Sequence, residues 1–323
     1  MSTELKIDEL PLNEQERLQD IFSGKIIPPL YADAIAKRIF NPDVHADRLN
    51  FLMRNIAKDP SIEVASGAGN ESFKQSLHAK SMISDIPSWL RDGRAGNVEI
   101  QKVKQDFIFT RVELYASDML LLQYSVTEGR AKSELDYLNV KEAILIVLMV
   151  ESPKAFKEFD EKCEKYIHRF TEMKADTGLS YSMKAKIIYV QLDKCLEQYR
   201  RNFSGETEDG KPDVLQLWLS MIADVNDEKV KLASEEDETL VSIRKEAFYM
   251  AQDKEVQNML IQERYDRMDW LTYGKEKRDE GVRQQLEHDA RGMYKKGLSP
   301  KDIAEIQGVP VETIEEILGL VTV

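Results

Sequence analysis

Eight consecutive apolar residues, AILIVLMV (Ala143–Val150), constrain the fold of this 323-residue chain more than any other feature. A run this short cannot span a bilayer, which requires about 20 residues in a helix. Strands that are apolar on both faces are typical of the middle of a sheet, where other elements cover each side. The run therefore predicts a buried central strand and no membrane attachment.

The composition predicts a folded protein with one large domain and appendages. The chain is 42% hydrophobic and 32% charged, with a net charge of −13, which argues against non-specific coating of nucleic acid or membranes. Its first residues lack the apolar segment of a secretory signal. Its two cysteines, Cys163 and Cys195, predict free thiols in a reducing compartment. Together these features predict a cytoplasmic protein.

The stretch from about Ser61 to Val103 alternates short segments containing β-branched residues with turns rich in glycine and asparagine. Within it, RDGRAGN predicts a tight connection between two antiparallel strands, MISDIPSW and VEIQKV. Such a hairpin would bring Asp85 on the first strand opposite or diagonal to Glu99 on the second. Proline inside a strand indicates an edge or a bulge, so Pro87 predicts one of these beside Asp85.

Asp85 and Glu99 are candidates for a metal site. Two convergent carboxylates, together with water, offer the hard oxygen ligands that Mg²⁺ or Mn²⁺ prefers, and such a cation can activate water against a phosphate ester. Gln101 would project from the same strand face as Glu99 and could orient that water. The residues alone leave a solvated strand face as the alternative. Asp92 competes with Asp85, although its position fits a turn-former better.

The order of these motifs resembles a known family, the recombination-promoting nuclease/putative transposase branch of the PD-(D/E)XK nucleases. NVEIQKVKQDFIFTRVELYASDMLLLQYS is similar to that branch's Glu-x-Gln strand and its following helix with Arg and Tyr. YADAIAKRIFNPDVHADRLNFLMRNI resembles the opening helices, with their Asp-x-x-x-Lys-x-x-Phe pattern, and YLNVKEAILIVLM and KIIYVQLDK resemble the next strands. The resemblance runs in order from about Tyr31 to Trp218, and the end of the chain is also similar.

The resemblance implies specific roles at the metal site. Asp85 and Glu99 would bind the metal, and Asp33 on the first helix would complete the site. Gln101 occupies the position that lysine holds in most PD-(D/E)XK nucleases. Because glutamine carries no charge, it cannot offset the negative charge that develops on phosphate as lysine would, although it can still orient water.

Other matching positions imply DNA contacts. Arg111 and Tyr115 match helix positions where a cation could meet phosphate, and Lys102 could contact the phosphate backbone. A further basic neighbourhood is interpreted either as a solvated surface or as a phosphate-contacting flank, and comprises Lys184, Lys186, Lys194, Arg200 and Arg201. The histidines lack metal-ligand spacing, so we interpret them as structural or surface residues: His45, His78, His168 and His288.

The predicted fold class is α+β, with a restriction-endonuclease-like core of helices around a mixed central sheet and an all-helical C-terminal region. Beyond Asp213 nearly every segment has helical periodicity, and the stretch from Val241 to Gln285 lacks proline. The predicted domains are an N-terminal extension (1–28), a nuclease-like domain (29–222), a helical region (223–285) and a helix-turn-helix-like module (286–323).

The final module has a helix, a glycine-containing turn and a second helix. Ser299 is expected to cap a helix that begins at Pro300, and Gly308 to form the turn. The isoleucines expected to be buried are Ile303, Ile306, Ile314 and Ile317. DNA-reading helices present Arg, Lys, Asn or Gln to the bases, whereas this second helix carries Glu312, Glu315 and Glu316. We therefore favour a packing or protein-contact role, and the C-terminal helices could serve homo-oligomerisation.

The leading functional hypothesis is a metal-dependent DNA endonuclease with Mg²⁺ (or Mn²⁺) as cofactor and DNA as partner. The alternative is a catalytically degenerate nuclease fold used as an interaction or regulatory module, which the uncharged Gln101 and the acidic net charge motivate. A transcription factor that binds DNA through the tail is a third and less favoured hypothesis. The sequence contains no nucleotide-binding loop or hydrolase elbow motif, so no nucleotide cofactor is expected.

Overall fold

The computed structural model describes residues 7–67, 85–104, 107–125, 140–202 and 213–320. The chain divides into two compact units. The sheet unit, Pro11–Leu260, contains the strands and every predicted site residue. The tail unit consists of Met1–Leu10 and Ile261–Val323. The four-part division expected from the sequence stays a prediction.

A six-stranded mixed sheet lies in the sheet unit, with its strands in the order β1-β2-β3-β4-β6-β5. The strands are β1 Val64–Gly67, β2 Ile86–Leu90, β3 Ala95–Gln101, β4 Ala143–Met149, β5 Ile167–Lys174 and β6 Ser180–Gln191. Strands β3, β4 and β6 are parallel, whereas the β1–β2, β2–β3 and β5–β6 pairs are antiparallel. This mixed sheet confirms the predicted α+β class.

Helices make up most of the remaining described residues. They are α1 Leu12–Phe22, α2 Asp33–Ile39, α3 Ala46–Ala57, α4 Ile108–Ser125, α5 Lys154–Asp160, α6 Leu192–Asn202, α7 Val214–Ala223, α8 Glu228–Ser234, α9 Glu238–Met250, α10 Lys254–Lys295, α11 Pro300–Gln307 and α12 Val311–Leu318. The C-terminal region is helical, as predicted. Within the described ranges, none of the helices combines the length and the apolarity needed to cross a membrane.

The apolar run forms the central strand, as predicted. β4 pairs in parallel with β3 on one side and with β6 on the other, and all seven of its residues are buried. Side chains such as Leu145 and Val147 belong to one core cluster with residues of α4, and α3 and α6 also contact the strand. Full burial of each such side chain contributes about 1.5–3 kcal/mol.

The predicted β2–β3 hairpin is present, with Ile86 opposite Val98. Its turn, Arg91–Arg94, includes Gly93 with φ of 84°, a left-handed conformation that glycine adopts without steric cost. Asp92 accepts a hydrogen bond from Arg94 Nε at 2.6 Å. Asp92 is therefore a turn residue, as its sequence position indicated.

Pro87 lies outside the β1–β2 pairing that the structure describes, and the edge or bulge that a proline in a strand indicates stays a prediction. Among the described residues, β1 pairs with β2 as far as Gly67, whose partner is Ser88. Pro87 comes directly before Ser88, beyond that pairing. Its lack of an N–H therefore removes no hydrogen bond from the described β1–β2 ladder.

A buried ion pair joins α3 to α9. Arg48 is 5% exposed, and its guanidinium donates to both carboxylate oxygens of Glu246, with Nη1 2.8 Å from Oε2. The same Nη1 donates to the carbonyl oxygen of Ile39 at the end of α2. Arg48 thus attaches a C-terminal helix of the sheet unit to two of its N-terminal helices.

The end of the tail unit has the predicted capping pattern. Ser299 Oγ accepts a hydrogen bond from the Asp302 backbone, while the Asp302 side chain accepts one from the Ser299 backbone. This capping box satisfies two N–H groups at the start of α11. Gly308, with φ of 66°, ends the helix, and α12 begins three residues later.

The buried residues of this module differ from the prediction at one position. Ile303, Ala304 and Ile314 are buried together with Ala290 of α10, and Ile317 packs against this cluster. Ile306, expected to be buried, is 60% exposed. The buried stripe of α11 is centred on residues 303 and 304, and position 306 lies about 100° around the helix from that centre.

Replacing Arg48 by methionine should lower the free energy of unfolding by roughly 2–4 kcal/mol, because Glu246 would keep a partly buried charge without its partner. Denaturant unfolding followed by circular dichroism measures the effect. Arg38→Met, on the exposed surface of α2, is the matched control and should change stability by less than about 0.5 kcal/mol. Equal losses in the two variants would contradict the role of the ion pair.

Candidate metal and phosphodiesterase site

A row of polar side chains lies on the face of β3 that belongs to the α4 side of the sheet. Asn97, Glu99 and Gln101 alternate along the strand, and their lateral partners on β4 are apolar residues of the cluster that contains α4. The three polar residues are only 0%, 5% and 8% exposed. The alternative of a solvated strand face is therefore wrong, and buried polar groups in such a row need partners.

Asp85 and Glu99 meet across the hairpin. Asp85 immediately precedes β2 and, by the register of the pair, stands opposite Glu99. The backbone N of Asp85 donates to Glu99 Oε1 at 3.2 Å, and the backbone N of Ile100 donates to Asp85 Oδ2 at 2.8 Å. Each carboxylate is thus held by a backbone group of the other segment.

Within the described part of the chain, one oxygen of each carboxylate is left for a cation. The hydrogen bonds of the hairpin, together with one from Asn97 Nδ2 at 2.7 Å, use only Asp85 Oδ2 and Glu99 Oε1. Within the described ranges, no group of three or more Asp, Glu, His or Cys side chains is arranged to hold a metal. Two carboxylates nevertheless fit Mg²⁺, which commonly keeps several waters and takes other ligands from phosphate.

Burial raises the pKa of Glu99 to about 7. Removal of water from the carboxylate is the largest cause, and the nearby charge of Asp85 raises it further, while the hydrogen bond from Asn97 acts in the opposite direction. Raised acid pKa values of this kind are typical of functional sites. A bound cation would offset both the burial and the repulsion.

Burial also raises the pKa of Asp85, although several groups oppose the rise. The backbone hydrogen bond from Ile100 lowers the pKa, the charge of Asp33 raises it, and the positive charges of Lys37 and Lys102 lower it. Helix α2 therefore brings both an acid and a base to the electrostatic surroundings of the carboxylate pair.

Gln101 is held at both ends of its amide. Its Nε2 donates to the Val103 carbonyl at 2.7 Å, and its Oε1 accepts from Arg111 Nη1 at 3.4 Å. Arg111 also donates to Tyr115 Oη at 3.0 Å, and its guanidinium carbon lies 5.4 Å from the Tyr115 ring centroid. Burial lowers the pKa of Arg111, but Tyr115 and the charges of Glu99 and Asp85 outweigh this effect. Arg111 thus lies beside the acids, as the resemblance implied.

Asp33 and Lys102 form an ion pair between α2 and the residue that follows β3. Lys102 Nζ is 2.6 Å from Asp33 Oδ1, and both charges act on Asp85. Metal binding by Asp33 and phosphate contact by Lys102 remain predictions. Either role would compete with this ion pair.

The structure places two further side chains at the site that the sequence analysis did not select. Asn97 is fully buried, donates to Glu99 and has an Oδ1 atom without a partner among the described atoms. The sequence pattern that could have indicated Asn97 is its position two residues before Glu99, on the same strand face. Lys37 lies near Asp85. The sequence pattern that could have indicated it is its spacing of four residues from Asp33, which puts both residues on one helix face.

Acids neutralise the basic neighbourhood that the sequence suggested as a second phosphate contact. The ion pairs are Lys186–Glu142, Lys194–Asp160, Arg200–Asp227 and Arg201–Glu197. These pairs occupy cations that a phosphate-contacting flank would need. The side chains of Lys186 and Lys194 are only 15% and 10% exposed, so the interpretation as a solvated surface fits Arg200 and Arg201 better than these two lysines. Among the histidines, His168 bonds to Gln191 at 2.8 Å and His45 lies 3.5 Å from Glu246, while His78 lies outside the described residues.

A family model for PD-(D/E)XK nuclease family transposases matches residues 31–275, which is 245 of the 323 residues. The chain belongs to this family. The match includes every side chain described at the site, and it confirms the resemblance seen in the sequence. Comparisons with curated proteins and with solved structures give no match.

Membership in this family indicates a nuclease or transposase-like function in general terms. Nucleases of the PD-(D/E)XK type typically use divalent metals, and their substrate is DNA. The two apposed carboxylates fit that chemistry, because they offer hard oxygen ligands in a partly enclosed position.

In buffer without divalent cations, Glu99→Gln should be more stable than the wild type at pH 8 and similar to it at pH 5. The pKa of Glu99 in the folded protein is about 7, above its ordinary value of 4.5, so the folded protein loses stability as pH rises from 4.5 through 7. Glutamine does not ionise and avoids this loss. We expect a Tm difference of roughly 3–6 °C at pH 8, from ~1–2 kcal/mol.

Calorimetry at the two pH values measures this difference. Glu113→Gln, an exposed acid on α4, is the control and should leave the Tm unchanged at both. A Glu99→Gln protein that melts with the wild type at pH 8 would contradict the raised pKa.

Proposed function

We propose that this protein is a metal-dependent DNA endonuclease that hydrolyses phosphodiester bonds, of the recombination-promoting nuclease type. The observation that carries the proposal is the apposition of Asp85 and Glu99, a half-buried and a buried acid held across one hairpin by backbone hydrogen bonds. The family supports nuclease chemistry, and the raised pKa values of the acids support a site that gains stability from a cation.

Asp85 and Glu99 would hold Mg²⁺, or Mn²⁺, through the oxygens that their hairpin hydrogen bonds leave. When bound, the cation would supply Lewis-acid polarisation of the phosphate and acidify the attacking water. Asn97 would keep the Glu99 carboxylate in its orientation through the 2.7 Å hydrogen bond. Because the hairpin fixes both acids beforehand, little rearrangement is needed for binding.

Gln101 would orient the attacking water. One amide N–H donates to Val103, and the second would donate to water. Gln101 supplies no charge, so the charge beside Glu99 comes from Arg111, whose position is fixed by Tyr115. A guanidinium in this position could bond to a phosphate oxygen.

Nicking of supercoiled plasmid in the presence of Mg²⁺ or Mn²⁺ tests the proposal. The wild type should nick the plasmid, and Asp85→Ala and Glu99→Ala should lower the rate at least about 100-fold, because each removes a ligand on which transition-state stabilisation depends. Asp176→Ala, in the exposed turn between β5 and β6, is the matched control and should nick like the wild type. Equal residual nicking in all four proteins would contradict the proposal.

Asn97→Ala should weaken Mn²⁺ binding about tenfold, because outer-shell groups that orient a ligand typically change metal affinity by about 10–100-fold. Isothermal titration measures the affinity. Asn55→Ala, on α3, removes an exposed amide that bonds to the backbone of its own helix and should leave the affinity unchanged. If Asn97→Ala binds Mn²⁺ like the wild type, Asn97 does not position the carboxylate.

A second candidate function is an interaction or regulatory module built on a catalytically degenerate nuclease fold. The observation that favours it is Gln101, which is uncharged and already bonded to Val103 and Arg111. Thermal melting with excess Mg²⁺ or Mn²⁺ separates the two candidates, since a ligand that binds the folded state raises the Tm. An unchanged Tm favours the degenerate module, and a higher Tm favours the metal site.

The final module supports a protein contact better than a DNA contact. Glu312 and Glu316 on α12 are exposed, and carboxylates on that surface repel phosphate. We therefore propose that the C-terminal helices serve homo-oligomerisation, and that sequence-specific recognition of DNA does not depend on α12. The free thiols Cys163 and Cys195 support the proposed cytoplasmic location.

A further inference from the structure

Positive charge reaches the acid pair from helix α2 as well as from α4. We propose that Lys37 of α2 contacts the scissile phosphate and stabilises the negative charge that develops on it, a role that the uncharged Gln101 cannot fill. This inference rests on the proposed endonuclease function and adds a catalytic residue to it. The lysine that most PD-(D/E)XK nucleases carry on the strand would then be replaced by one on a helix.

The position of Lys37 follows from the ion pair at the start of α2. Asp33 and Lys37 are four residues apart and share one helix face. Asp33 lies 2.6 Å from Lys102, directly after β3, so this face of α2 is held against the end of the strand that carries Glu99. Lys37 then lies close enough to Asp85 for its charge to lower the pKa of that carboxyl.

Lys37 also differs from the two other cations at the site. Lys102 is paired with Asp33, and Arg111 donates to Tyr115 and Gln101. Lys37 is half-buried, and among the described residues no carboxylate lies within 4.0 Å of its Nζ. The ammonium has three N–H donors and can therefore take a hydrogen-bond acceptor as a partner. A phosphate oxygen would provide that partner and form a charge-assisted hydrogen bond.

The chemistry assigns Lys37 an electrostatic role. In hydrolysis, the oxygen of water forms a bond to phosphorus as the bond from phosphorus to the leaving oxygen breaks. One proton passes from the water to solvent, and the leaving oxygen takes up a proton from solvent. The ammonium of Lys37 keeps its own protons and donates a hydrogen bond to a non-bridging phosphate oxygen, which becomes more negative during attack.

Lys37→Met and its neighbour Arg38→Met each remove one positive charge from α2, and only Lys37 lies near Asp85. Two measurements on the full chain compare them: single-turnover plasmid nicking at saturating Mg²⁺, and calorimetric titration with Mn²⁺. Lys37→Met should lower the nicking rate about 100-fold, and Lys37→Arg, which keeps the charge, should lower it less. Arg38→Met should nick within about twofold of the wild type, and all variants should bind Mn²⁺ within about threefold of it.

The outcomes separate the two levels of the proposal. If Lys37→Met nicks the plasmid at the wild-type rate, the role of Lys37 is contradicted and the proposed endonuclease activity is not. Lys37→Met could instead bind Mn²⁺ more weakly and regain its nicking rate when more Mg²⁺ is added. That result would also contradict phosphate contact, because Lys37 would then act on metal binding through Asp85. Absence of metal-dependent nicking by the wild type would contradict the endonuclease and, with it, the catalytic role of Lys37.

Folding of each variant is checked by its Tm. If Lys37→Met melts well below Arg38→Met, Lys37→Gln replaces it in both measurements, since glutamine keeps a polar end at the half-buried position. A rate for Lys37→Gln equal to that of the wild type would contradict the proposal in the same way.

Discussion

The apposition of a half-buried and a buried carboxylate is the constraint on which the rest of the site depends. Burial and mutual repulsion make the ionised pair of Asp85 and Glu99 costly, so the surrounding structure must hold the acids in place. The two backbone hydrogen bonds of the hairpin do this directly, and Asn97 adds a third donor. A fold selected for stability alone would not keep this arrangement, since real proteins break local packing rules mainly where function requires it.

The apolar strands around β4 strengthen the electrostatic interactions of these polar groups. Because the lateral neighbours of Glu99 and Gln101 on β4 are buried apolar residues, water is excluded from one side of the carboxylates, and charges there act more strongly than at a surface. Helices α2 and α4 then each bring a cation, Lys37 and Arg111, close enough for its charge to interact with the acids. The buried apolar residues of β4 therefore belong to the core and also form one side of the site.

Features set by local chemistry could be predicted from the sequence. The run of eight apolar residues predicted β4, and the turn residues between two short segments predicted the hairpin, whose register brings Asp85 opposite Glu99.

Strand β5 was not predicted from the sequence, because it is an edge strand whose outer half is exposed and carries charges. The proline-free stretch beyond Val241 is interrupted because the Asp253 side chain caps a new helix at Glu255 and Val256. Local spacing places Asn97 on the strand face of Glu99 and Lys37 on the helix face of Asp33, but only tertiary docking of α2 onto the sheet brings Lys37 near Asp85.

The ion pair between Arg48 and Glu246 has an evolutionary consequence. Because Glu246 lies on α9, the compact unit that holds the acids, Pro11–Leu260, contains an ion pair between residues from near its two ends. A genetic exchange that replaced the chain from α9 onward would leave a buried arginine without its counter-charge. An exchange made within α10 would keep α9, and with it Glu246, in the same chain as Arg48.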